Sequence, residues 1–104
     1  MALDVIFDAL ANEPRREILV RLSAGPMTTP QIGQGFGFTK QALSRHVAVL
    51  ENAGLVRRMV RGRVHDLTLV QAPLAEVSGW LAEVERGWQA SLDRLDMVLR
   101  SNRD

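Results

Sequence analysis

The chain has 104 residues, 46% of them apolar and 24% charged, with a net charge of +1 and no cysteine. That length fits one domain with a single modest core, and the composition is that of a globular rather than a disordered protein. The lack of cysteine excludes disulfides, thiolate metal sites and thiol nucleophiles together. No apolar run approaches the roughly 18 to 20 residues that a membrane span needs. The first ten residues carry Asp4 and Asp8 and no basic cluster, so no secretory signal and a cytoplasmic location are expected.

The small net charge hides a segregation. Residues 1–38 hold three arginines against four acids, a net −1. Residues 39–72 hold Lys40, Arg45, Arg57, Arg58, Arg61 and Arg63 against Glu51 and Asp66, a net +4. Residues 73–104 hold four arginines against six acids, a net −2. Positive charge gathered in one stretch is the footprint of a nucleic-acid surface, although a solvated basic face has the same composition.

Leu3, Ile6, Phe7 and Leu10 recur at helical spacing and predict a short amphipathic helix over 2–11. Asn12 can cap a second helix, with Pro14 in its first turn, Ile18, Leu19 and Leu22 as its buried stripe, and Gly25-Pro26 as its stop. Thr28 or Thr29 can cap a third, short helix anchored by Ile32. Gly33, Gly35 and Gly37 follow, and with neither a preceding strand nor a following lysine–hydroxyl pair they read as a tight turn rather than a phosphate loop. Thr39 caps a fourth helix that runs to Ala53 and ends at Gly54. Leu43, Val47 and Leu50 form its buried side; Lys40, Gln41, Ser44, Arg45 and Ala48 form the other. From Leu55 to Leu69 the period changes to that of two strands, joined by a cationic turn at Arg61-Gly62-Arg63.

The last element opens near Pro73. Leu74, Val77, Leu81, Val84, Trp88, Leu92, Leu95 and Leu99 follow one another at spacings of three or four. They predict one helix of about 43 Å at 1.5 Å per residue. A domain this small cannot cover such a stripe with its own core, so a partner surface is expected.

Catalytic chemistry finds no support. The two histidines, His46 and His65, sit on different elements, and neither has a nucleophile and an acid at recognisable spacing. Asp93 and Asp96 lie three apart on one helix, but two carboxylates without an imidazole make a poor transition-metal site. The expectation is therefore no enzyme, no cofactor and no metal.

Taken in order, the elements are helix, helix, short helix, turn, helix, hairpin and long helix. The third and fourth helices have the spacing of a helix-turn-helix, and the hairpin supplies a wing. The sequence resembles the ArsR-type winged-helix repressors of bacteria in Ala9-Leu10-Ala11, in Arg15-Arg16-Glu17-Ile18-Leu19, in the block from Ser44 to Leu50, in Ala53-Gly54-Leu55-Val56 and in the wing Arg61-Gly62-Arg63. The tail with Val77, Trp80, Leu81, Trp88, Leu92, Asp93 and Leu95 is similar to a metal-independent branch of that family. The resemblance implies a mainly α fold with a small β-hairpin wing, organised as one winged-helix domain over 1–104. The helix-turn-helix falls at about 29–53, the wing at about 55–69 and a dimerisation helix at about 73–101. Leu67 stands where family members commonly place an aromatic residue. Metal-sensing members place cysteines in the first half of the helix-turn-helix, where this chain has Thr29-Pro-Gln-Ile-Gly-Gln-Gly, or ligand sets on the terminal helix, which has no histidine.

The implied function is a homodimeric repressor of double-stranded DNA with an inverted-repeat operator. A recognition helix fits the major groove, where Gln41 can pair with adenine, Arg45 with guanine, and Ser44 with a base or a phosphate. Lys40 would meet phosphate, Thr39 at the cap is counted with the DNA-binding residues, and Arg61 and Arg63 would reach the flanking minor groove or its phosphates. Arg57 and Arg58 point to opposite faces of one strand, so only one of them can face DNA. His46 holds the family's usual histidine position, either as a phosphate donor or as a structural residue beside Val47; His65 reads as plain surface. The dimer interface is expected to use Ile6, Phe7 and Leu10 together with Leu81, Val84, Trp88, Leu92 and Leu95. Two other readings stay open: a winged-helix module that meets an acidic protein, and an RNA binder, disfavoured because there is no tyrosine and no aromatic sheet platform.

Overall fold

A computed structural model describes residues 3–102 of the chain. Its elements are α1 (Leu3–Leu10), α2 (Glu13–Leu22), β1 (Met27–Thr28), α3 (Thr29–Gly33), α4 (Lys40–Asn52), β2 (Val56–Arg61), β3 (Val64–Leu69) and α5 (Gln71–Ser101). They fall into two compact units, one extending through Leu74 and the other beginning at Ala75.

The caps decide where the helices of the first unit begin. Asn12 accepts from the Arg15 amide at 3.1 Å, and Thr39 accepts from the Ala42 amide at 3.1 Å. Thr28 completes a capping box: its hydroxyl accepts from the Gln31 amide, and the Gln31 side chain accepts from the Thr28 amide at 2.8 Å. The apolar positions then close one core. Ile6, Ala9, Ile18, Leu19, Leu22, Ile32, Leu43, Val47, Leu50, Ala53, Leu55, Val56 and Leu67 are all buried. Ile6 departs from expectation, since its side chain is 0% exposed and belongs to this core. A side chain buried inside its own chain cannot also meet a partner; Phe7 and Leu10 are only partly buried.

The wing differs from a simple hairpin. Its strands pair antiparallel, with Val56 opposite Leu69 and Arg61 opposite Val64, but β1 adds a third strand, with Met27 opposite Leu67. The sheet order is β1-β3-β2. Gly62 takes φ 61° and no non-glycine residue has positive φ among the described residues, the pattern of a two-residue type II′ turn. Between α3 and α4, a Cβ at Gly33 would lie 3.0 Å from Leu43 Cδ2, so the absent side chain lets the two helices approach.

The second unit is the helix α5 beyond its first turn. The whole of α5 has 31 residues, about 46 Å at 1.5 Å per residue, and it starts at Gln71, two residues before Pro73. Along it Leu81, Val84, Trp88, Leu92, Leu95 and Leu99 are all exposed, Trp88 by 65%. No helix among the described residues is long and apolar enough to cross a membrane.

Candidate nucleic-acid interface

Helix α4 separates its faces cleanly. Leu43, Val47 and Leu50 are buried, whereas Gln41, Ser44, Arg45 and Ala48 are exposed on the opposite side at i, i+3, i+4 and i+7. Lys40 is exposed in the first turn, and the Thr39 hydroxyl is occupied with capping. Beside this end of the helix lies a cleft of about 530 Å³, walled by Pro30, Gly33, Phe38 and Leu43 and edged by Lys40 and Ser44.

His46 is half-buried and does not stand with the exposed group. Its ring meets Phe38 edge-on at 5.5 Å, and Phe38 stacks on Phe36 at 4.7 Å. The Arg21 guanidinium lies 4.0 Å above the Phe36 ring. Arg21 also donates to the carbonyls of Ile32, at 2.8 Å, and of Gln34, so it ties α2 to the turn between α3 and α4. Burial lowers the His46 pKa below 6.5, and the charges of Arg15 and Arg45 lower it further.

The wing arginines fare differently from one another. Arg63 is exposed, and its guanidinium has no ion pair among the described residues. Arg61 is tethered: its Nε donates to Asp66 Oδ2 at 2.5 Å. That contact raises the Arg61 pKa and lowers that of Asp66, so the tip charge is partly offset by a neighbour on β3. Arg57 is exposed on the outer face of the sheet. Arg58 lies on the inner face, where its Nε and Nη2 donate to Glu51 at 3.2 and 2.7 Å and its Nη1 lies 2.8 Å from His65 Nδ1. The Glu51 hydrogen bond raises the Arg58 pKa against the opposing effect of burial. His65 is thus a member of a network between α4 and both long strands, and not plain surface.

Arg15 and Arg16 carry a role that periodicity misses. Arg15 Nε donates to the Ala9 carbonyl at 2.6 Å and its Nη2 to the Asp8 carbonyl at 2.9 Å; Arg16 Nη1 donates to the Leu10 carbonyl at 2.7 Å. These are the last carbonyls of α1, where the regular ladder runs out, although that of Asp8 also accepts from the Ala11 amide at 3.3 Å. The pair of arginines directly after a capped helix start, six residues beyond the carbonyls, was the available signal. Among the described residues no group of three or more His, Cys, Asp or Glu side chains is placed to hold a metal ion.

A short helix-turn-helix, a β-wing and an exposed polar face on the second helix define a winged helix-turn-helix transcriptional regulator. Comparison with known proteins agrees. The helix-turn-helix domain family matches residues 10–58. The HTH-type transcriptional regulator YuzN of Bacillus subtilis, described as uncharacterized, is 34% identical over 75% of this chain and 94% of its own. The transcriptional repressor SdpR of the same organism is 28% identical over 73% of this chain and 84% of its own. The crystal structure of an ArsR family transcriptional regulator is 36% identical, with a TM-score of 0.79 over 84% of this chain and 90% of that one. An ArsR-like regulator from Rhodococcus sp. RHA1 is 25% identical, with a TM-score of 0.76 over 92% of this chain and 91% of that one. The chain belongs to the ArsR family of winged helix-turn-helix transcriptional regulators, and it is a regulator rather than an enzyme.

Proposed function

We propose that the protein is a homodimeric repressor that silences a promoter by occupying an operator within it. The observation that carries this reading is the exposed row Gln41, Ser44, Arg45 and Ala48, backed by a wholly buried opposite face. A helix that offers an amide, a hydroxyl, a guanidinium and a small residue along one side suits the major groove. The first three can donate or accept at base edges, and alanine lets the helix sit close. Lys40 would hold the backbone at the helix start, where the Thr39 hydroxyl, accepting in the cap, still has its own proton to donate, and Arg63 at the wing would meet the flanking backbone or minor groove. Arg61 takes a lesser part because Asp66 competes for it, and His46 serves the packing under Phe38 first. The repressor assignment draws on the likeness to SdpR.

The dimer reading is supported by α5, whose exposed stripe of Leu81, Val84, Trp88, Leu92 and Leu95 is more apolar surface than a monomer leaves in water. Phe7 and Leu10 of α1 are the remaining candidates at the other end of the chain. A two-fold pair would present two recognition helices about 34–36 Å apart, or a multiple, and so read an inverted repeat. Selection of bound duplexes from fragments of the source genome, including the protein's own promoter, tests this. An imperfect inverted repeat should be enriched; retention of no duplex above non-specific binding would sink the reading.

A further inference from the structure

The cleft beside the start of α4 has walls that a DNA backbone does not explain. Its volume, about 530 Å³, lies within the roughly 300–1,000 Å³ of small-molecule sites. Pro30, Gly33, Phe38 and Leu43 make it mainly apolar, and a phosphodiester gains nothing by leaving water for such surfaces. Phe38 is only half-buried, so part of its ring still stands in water. The charge of the cleft has one sign: none of its lining residues is acidic, and Lys40 is the one cation among them. Lys40 is exposed and makes no ion pair among the described residues. It is also the single lysine among the chain's thirteen lysines and arginines. A guanidinium is a fixed fork of donors, whereas an ammonium on its flexible stem is a point charge. One such charge beside an apolar cleft matches one anionic head on an apolar body.

We propose that this cleft binds a small amphiphilic monocarboxylate, and that its occupation releases the protein from DNA. The apolar body would cover Phe38 and its neighbours in the wall, and the carboxylate would pair with the Lys40 ammonium. Apolar contact then supplies most of the affinity, and the charge pair fixes which end of the ligand lies at Lys40. Lys40 and Ser44 also belong to the surface that the proposed function turns towards DNA, so ligand and duplex exclude one another. A bound carboxylate cancels the Lys40 charge and sets a negative charge where a phosphate would approach. The site stands on the residues of the cleft; its effect on DNA rests on the proposed function.

The test uses octanoate below its micelle concentration, with acetate as the control for the apolar body and 1-octanol for the anionic head. The His46 ring reads the cleft, because Phe38 lines it and meets that ring edge-on at 5.5 Å. His65 is the only other imidazole, and Trp80 and Trp88, the only indoles, are both on α5. In ¹H–¹⁵N spectra at constant pH and ionic strength, octanoate should shift the His46 ring saturably and leave His65 unmoved. Acetate and 1-octanol should each bind at least about tenfold more weakly. Lys40→Gln should weaken octanoate about tenfold, and Lys40→Arg should restore most of that loss. Lys40 is exposed, so neither change disturbs the core. Shifts confined to the indoles would put the octanoate on α5, and 1-octanol equal to octanoate would leave no anion site; either overturns the proposal. So does a response unchanged in Lys40→Gln. The second arm follows from strict competition: octanoate at ten times its Kd should weaken binding of the selected duplex about tenfold. An unchanged duplex affinity would overturn the release. If no duplex binds at all while octanoate still shifts His46, the proposed function fails and the site stands.

Discussion

At the scale of single residues, two arginines with similar exposure are expected to act differently because they sit on different elements. Arg45 lies on the exposed row of α4 and Arg63 at the wing turn. Arg45→Ala should lose about 1–3 kcal/mol against the preferred duplex and relax discrimination at one base pair. Arg63→Ala should weaken binding to all sequences and flatten the salt dependence by about one unit in log–log slope. Titrations of both variants on matched and mismatched duplexes, over a range of salt, separate the two. His46 supplies a pH dependence. Its pKa is lowered in the folded chain, by burial first and then by Arg15 and Arg45, from an ordinary value of 6.5. The unfolded chain therefore takes up the proton more readily. The stability that a neutral His46 contributes is whole above pH 6.5 and is lost as pH falls through the lowered value. Urea denaturation of wild type and His46→Gln between pH 7.5 and about pH 5 should show a larger decline for the wild type. Equal declines would leave His46 without that role.

At the scale of elements, the ends carry much of the information. α1 has only eight residues, too few to hold together alone in water. Its last carbonyls are closed by Arg15 and Arg16, side chains from the helix that follows. Arg15→Ala should cost about 1.5–3 kcal/mol, the range for hydrogen bonds to a charged group, and Arg15→Lys should recover only part of it. A lysine has no fork to span the Ala9 and Asp8 carbonyls. Equilibrium unfolding of the three proteins checks this, and an Arg15→Ala variant as stable as the wild type would show that water closes the helix equally well. The two-residue strand β1 illustrates the opposite case. Nothing in Met27-Thr28 has a period, and the pair becomes a strand because β3 offers it a free edge.

At the scale of the whole molecule, the main question is what covers α5. Its apolar positions repeat at helical spacing, and from Leu81 to Leu99, about five turns at 3.6 residues per turn, they stand exposed. Burying Trp88 and Leu92 at an interface would make each a hot spot worth about 2 kcal/mol or more on truncation. Sedimentation should therefore show a wild-type dimer and a Trp88→Ala, Leu92→Ala double variant shifted to monomer, with operator affinity lost alongside. A wild type that stays monomeric at tens of micromolar would remove both the dimer and the inverted repeat.

How much of this was legible in the sequence follows from what each feature depends on. Helix starts were readable at Asn12 and Thr39, because a cap is a contact across three residues and needs nothing distant. The buried stripe Leu43, Val47 and Leu50 was readable for the same reason, since periodicity is local. With the family motif, these local signals determined the winged-helix class and the exposed row on α4. They could not determine which cations remain free. Arg61 and Arg63 look equivalent one residue either side of Gly62, yet only Arg61 meets Asp66, because the register of the hairpin brings that carboxylate diagonally across. Arg58 and His65 look like surface charge and surface imidazole until the sheet folds against α4 and Glu51 reaches them. Ile6 looked as available as Phe7, and packing alone turned it inward. Local chemistry is written in neighbours along the chain, whereas pairing and burial depend on which elements the fold brings together.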